Sequence, residues 1–138
     1  MKQAIIRAID HFCTTILESS IEEGCCHGED FFGASVSIFE NECEQIWYLF
    51  FTKETLNDIA RNLLFEENLL EDDLNDLLKE VSNQIIGTAK VFLEEFYPEK
   101  DYTLSVPEFM GNICKPFPIP LQEEYVYTIN NQTLVVAC

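Results

Sequence analysis

LNDLLKEVSNQIIGTAKVFLEEF, residues 74–96, is the stretch whose periodicity organises the rest of the chain. At about 100° per residue, Leu74, Leu77, Leu78, Val81, Ile85, Ala89, Phe92 and Phe96 gather on one broad face, which a helix must turn into a core. Asp76, Glu80, Asn83 and Gly87 fall close together on the opposite side, so Glu80 and Asn83 are expected to point outward, side by side. The helix is expected over about 70–96. Glu71, Asp72 and Asp73 suit the positive end of its dipole, and Tyr97-Pro98 stops it. Gly87 is out of place in a helix interior, where glycine costs about 1 kcal/mol against alanine. Two explanations are open: a partner backbone presses into the dent, or a neighbouring helix packs tightly there.

Working outward, residues 2–20 read as an amphipathic helix with Ile5, Ile9, Phe12, Ile16 and Leu17 on one face. Glu22 to Asp30, with Gly24 and Gly28, reads as a loop. Residues 31–39 alternate, with Ala34, Val36 and Ile38 opposite Ser35 and Ser37: a half-buried strand. Asn41 and Glu42 make a turn. Residues 45–52, QIWYLFFT, form a nearly continuous apolar strand suited to a sheet centre. Thr52 can cap a helix at 53–64, with Glu54 in its first turn. Residues 102–106 look like a short strand. Residues 110–121 contain Pro116, Pro118 and Pro120 and are expected to be irregular. Strands at 123–129 and 132–137 flank a turn at Asn130-Asn131. Hairpins imply antiparallel pairing, so the expected class is α+β in two layers, a mostly antiparallel sheet packed with long helices. No linker divides the 138 residues, and residues 1–138 are read as one domain.

The net charge of −17 repels phosphate backbones and anionic lipid, which argues against nucleic acid and membrane surfaces as partners. No secretory signal and no run of roughly 18 apolar residues is present, so a cytoplasmic protein is expected. The cysteines are Cys13, Cys25, Cys26, Cys43, Cys114 and Cys138, without a C-x-x-C pair, and reduced thiols are the default. Cys25-Cys26-His27 looks like a fragment of a metal site, but only His11 and Cys13 offer a second cluster, and no metal is expected.

Glu80-x-x-Asn83 alone says little, since Glu54-x-x-Asn57 has the same spelling at a helix start, where the dipole already explains the acid. The longer string LKEVSNQIIGTAK, residues 78–90, resembles the signature helix of the CheX and CheC chemotaxis phosphatases: E-x-x-N, three residues, then Gly, a polar residue, Ala and Lys. Asp76 four before the Glu and Pro107 with Gly111 after the Asn extend the likeness. The first helix lacks Glu-x-x-Asn, so the pattern is similar to single-motif CheX.

That resemblance implies a phosphatase acting on a phosphorylated CheY-type receiver. Asn83 would position the attacking water, and Glu80 would pair with the receiver's lysine. Asp76 and Gly87 would lie against the partner. The chain itself would need no cofactor, Mg²⁺ being expected in the receiver. It also implies a homodimer joined through sheet edges, for which residues 45–52 or the last hairpin are the candidates. Two alternatives stand beside this reading. One is a non-catalytic module of the same fold that binds a receiver or a flagellar switch protein. The other is a thiol or metal sensor built on Cys25, Cys26 and His27.

Overall fold

The structure, a computed structural model, describes residues 1–16, 21–23, 30–63, 65, 70–114, 119–129 and 132–138. Its elements are α1 (Lys2–His11), β1 (Ile21–Glu23), β2 (Asp30–Glu40), β3 (Cys43–Phe51), α2 (Lys53–Leu63), α3 (Glu71–Phe96), β4 (Tyr102–Leu104), β5 (Glu108–Cys114), β6 (Glu124–Ile129) and β7 (Gln132–Ala137). The sheet runs β1-β6-β7-β3-β2-β4, with β5 also on β2, and every pairing is antiparallel. β2 is long enough to serve two partners along one edge: β4 lies beside Ile38–Glu40 and β5 beside Asp30–Ser35. The class is α+β, as the alternating and helical patterns require.

The sheet buries both faces unequally. Phe32, Ala34, Val36 and Ile38 of β2, with Trp47, Leu49 and Phe51 of β3 and Leu134 and Val136 of β7, meet the helices in the main core. Phe31, Phe50, Val135 and Ala137 face the other way, against Ile113, Ile119, Leu121 and Val126. Burial on both sides is why β3 and β7 read as apolar runs rather than as alternations. Gly33 lies on the second face, where a Cβ would stand 3.0 Å from the Phe50 ring. Opposite it the β2–β5 register shifts, and Gly111 takes a φ of 87° that suits glycine.

Local chemistry sets the joints. Thr52 ends β3 and accepts the Thr55 backbone N–H on its hydroxyl at 3.2 Å, capping α2 as its sequence suggests. Asn41 turns the β2–β3 hairpin at φ 55°, and its side-chain carbonyl accepts the Asp101 N–H at 3.2 Å. After β4, the Ser105 hydroxyl accepts the Ser37 N–H at 2.9 Å, and its own N–H donates to the Ser37 carbonyl at 3.0 Å.

Several sequence expectations need correcting. Helix α1 is α-helical only to His11 and continues as a π-helical turn over Phe12–Ile16; residues 17–20, with Leu17, lie outside the described residues. Ile21–Glu23 form a strand on β6, inside what reads as a loop. Residues 110–114 belong to β5, which starts after Pro107, and Met110 and Ile113 have an apolar face to pack on; residues 115–118, with Pro116 and Pro118, lie outside the described residues. The strand expected at 102–106 stops at Leu104. Of the apolar strand at 45–52, Tyr48–Phe51 are paired with β2 on one side and β7 on the other, so among the described residues only the part of β3 up to Trp47 is left open as an edge. The turn at Asn130-Asn131 lies outside the described residues, though the strands flanking it pair from Glu124↔Ala137 to Ile129↔Gln132.

Candidate functional site

Helix α3 spans 26 residues and is the longest element of the chain. Leu74, Leu77, Leu78, Val81, Ile85 and Ala89 are buried, as the wheel requires, and so are Ser82, Ile86 and Leu93, which widen the core face. Phe92 is half-buried. Phe96, expected in the core, is 44% exposed, because it closes the last turn before Tyr97-Pro98 breaks the helix. A helix with so much of its circumference sunk in the core is rigid, so groups on its outer stripe are held in fixed register.

That stripe carries Asp76, Glu80 and Asn83, all exposed, with Gly87 half-buried one turn further on. Glu80 and Asn83 are three residues apart, so their side chains leave neighbouring positions on one face. Around Gly87 no atom of another described element lies within 4 Å of where a Cβ would stand. Among the described residues the glycine therefore serves no packing contact, and the dent it leaves is open. Gln84, next after Asn83 and one turn on from Glu80, donates its Nε2–H to Glu80 Oε1 at 3.1 Å and steadies one carboxylate oxygen. The Thr88 hydroxyl donates to the Gln84 carbonyl at 2.8 Å.

On the α1 side of the stripe is a cleft of about 500 Å³. Arg7 enters it with its guanidinium carbon 4.5 Å from the Phe92 ring centroid and 5.9 Å from that of Phe96. His11 meets Phe92 edge-on at 6.5 Å. The sequence singled out neither Arg7 nor Gln84. Sequence gives only its position: Arg7 lies two residues from both Ile5 and Ile9, off their face, on a helix whose partner the sequence does not name.

Asn83 and Glu80 offer two hydrogen-bonding side chains in water, one neutral and able both to donate and to accept, one anionic. Among the described residues no group of three His, Cys, Asp or Glu side chains is placed to hold a metal ion. Cys25, Cys26 and His27 lie outside the described residues. Cys13 is buried, and burial, with the nearby Asp10 charge, pushes its thiol from 9.0 up to about 12, so it stays protonated and inert at neutral pH. Cys43 is an exposed free thiol. Among the described residues no helix is long and apolar enough to cross a membrane.

Similarity to known proteins bears on this stripe. No curated protein matches the sequence. Among solved structures, the chain is similar to the chemotaxis protein CheX from Vibrio vulnificus, with a TM-score of 0.80 at 13% identity over 98% of this chain and 92% of that one. It is similar to a chain of the CheX–CheY–BeF3–Mg²⁺ complex from Borrelia burgdorferi, with a TM-score of 0.71 at 15% identity over 99% and 94% of the two chains. FliY from Thermotoga maritima is a further likeness, with a TM-score of 0.65 at 17% identity over 97% and 83%. At such identities the shared property is the fold. The sequence also matches the family model described as chemotaxis phosphatase CheX, over residues 34–113, a span that runs from β2 through β5 and contains the whole Glu80–Gly87 stripe. The chain belongs to the CheX family of chemotaxis phosphatases.

Proposed function

We propose that the chain hydrolyses the aspartyl phosphate of a CheY-type chemotaxis receiver in the cytoplasm, through Asn83 and Glu80. The observation that carries this reading is the outward placement of both side chains, one turn apart on the most deeply anchored helix, beside open space at Gly87. Membership of the family and the likeness to a chain solved with CheY, BeF3 and Mg²⁺ support it.

Hydrolysis of an acyl phosphate requires a water in line with phosphorus, opposite the departing carboxylate. Asn83 presents an amide whose oxygen accepts a water proton and whose NH₂ donates to a phosphoryl oxygen, without either being consumed. Glu80, steadied by Gln84, pairs with a lysine of the receiver and fixes how far Asn83 enters. Asp76 and Gly87 lie along the same line and contact the partner, the glycine by letting its backbone approach. The receiver supplies Mg²⁺, so this chain needs no metal of its own.

A second copy of the chain belongs to the same reading. Among the described residues the sheet's free edges are β4 and β5 on one side and, on the other, β1, Glu124–Val126 of β6 beyond the reach of β1, and Cys43–Trp47 of β3 beyond the reach of β7. The deciding experiment follows the decay of phosphate on each receiver of the source organism with and without the protein. Acceleration of at least one receiver is expected. Binding without acceleration for every receiver would leave a binding module instead.

A further inference from the structure

We propose that Arg7 is a specificity anchor that takes a carboxylate side chain of the receiver into the cleft between α1 and α3. This rests on the receiver reading above. The cleft's walls come from two helices: Arg7, Asp10, His11 and Thr14 on the first side, Thr88 and Val91 on the α3 side, with Phe92 between them. Arg7 forms no ion pair among the described residues, although the chain has 25 acidic residues against 8 basic ones and Asp10 is only three residues away. The guanidinium lies over the Phe92 ring, which lines the cleft, and near that of Phe96, and a guanidinium held against ring faces can still donate its N–H groups to an acceptor. In a chain of net charge −17, a guanidinium held against rings and unpaired among the described residues is a local exception to a surface that repels acids.

The lining chooses the kind of acceptor. The hydroxyl protons of Thr14 and Thr88 are spent on the carbonyls of Asp10 and Gln84, so Arg7 and His11 are the donors left. Asp10 disfavours a dianion, which argues for a single carboxylate over a phosphate. Val91 is 51% exposed and Phe92 is half-buried, giving an aliphatic stem something to cover, so a glutamate side chain fits the cleft from stem to tip.

Position makes the receiver the source. Asn83, Gly87 and Val91 follow one another at four-residue steps along the stripe, so Val91 lies only about 12 Å from Asn83 along the axis. An interface of ordinary size buries roughly 800 Å² on each partner, a patch on the order of 30 Å across. A receiver seated over Asn83 therefore covers the mouth of the cleft.

The test measures affinity for a receiver locked in its phosphorylated form with beryllofluoride, for wild type, Arg7→Gln, Arg7→Lys and Lys53→Gln. Lys53, exposed on α2, controls for the loss of one positive charge. Arg7→Gln is expected to weaken binding about tenfold, the range of a partly desolvated charge pair, and Arg7→Lys to recover part of that loss. Lys53→Gln should change affinity less than twofold. Wild-type affinity in Arg7→Gln, with melting temperatures showing both proteins folded, overturns the anchor and leaves the phosphatase reading standing. An equal loss in Lys53→Gln also overturns it, since net charge then explains the effect. Failure of the wild type to bind any receiver sinks both.

Discussion

Glu54-x-x-Asn57 on α2 and Glu80-x-x-Asn83 on α3 are spelled alike and placed quite differently. On α3 both side chains stand in water on the outer stripe. On α2 the glutamate is exposed in the first turn, but the asparagine is half-buried, and its Oδ1 is buried with no hydrogen-bond donor to meet it among the described residues. An amide that must handle a water cannot have its carbonyl turned into the protein. The four-letter pattern acquires meaning only from which side of its helix the core occupies, and on α3 the core takes Leu74 through Leu93.

The largest expected effect tests that contrast directly. Asn83→Ala should slow receiver dephosphorylation about a hundredfold or more while keeping most of the binding, because a positioning group acts chiefly in the transition state. Asn57→Ala should leave the rate within about twofold of wild type, consistent with its carrying no role in the chemistry. Equal losses in phosphate-decay assays of the two variants would break the comparison. Next in size, Glu80→Ala should reduce receiver affinity about tenfold, with the gap to wild type narrowing at high salt as screening erodes the pair. Glu54→Ala should bind normally and lose only about 0.5 kcal/mol of stability, the worth of an acid in a first helical turn. Affinities at two ionic strengths and a urea titration distinguish the two acids.

Glycines sharpen the comparison further. Gly87→Ala should raise stability by about 1 kcal/mol, because the new methyl meets nothing within 4 Å and helix propensity improves. Gly87→Leu should fold as well and bind the receiver markedly less tightly, if the dent admits a partner's backbone. Gly33→Ala should destabilise, since its methyl meets the Phe50 ring at 3.0 Å. A change of similar size is expected on the buried face of α3. Ser82 is fully buried and its hydroxyl has no partner among the described residues, so Ser82→Ala should gain about 1 kcal/mol in chemical denaturation and leave turnover alone.

What the sequence conveyed depended on how local the cause was. Thr52 capped the helix it precedes, and α3 was found nearly to the residue, because both follow from neighbours in the chain. β1 is invisible in the sequence because its three residues pair with Ile129, Thr128 and Tyr127, more than a hundred positions away. β5 is hidden in the sequence because prolines beside a strand weigh on its composition as heavily as prolines within it. Ser82 counted as polar and was left off the core face, and Phe96 counted as apolar and was placed on it; the extent of the sheet beneath α3 decides both, and no wheel contains it. For the site, Glu80 and Asn83 were visible as outward residues, whereas Arg7 became visible only when α1 was laid against α3.

The insertion of β7 between β3 and β6 has a consequence for how the chain reaches this fold. Tyr48–Phe51 of β3 find their partners at Leu134–Ala137, across some of the longest spans the chain contains, while β2 and β3 can zip together as a local hairpin at once. During synthesis, therefore, β3 is complete but open along one side until the final strand emerges, with a full row of unpaired amides and carbonyls beside exposed aromatic rings. Such late closure of distant pairs slows folding and gives the nascent chain a sticky interval. The heavy negative charge, which plays no part in the proposed chemistry, keeps unfinished chains apart during that interval.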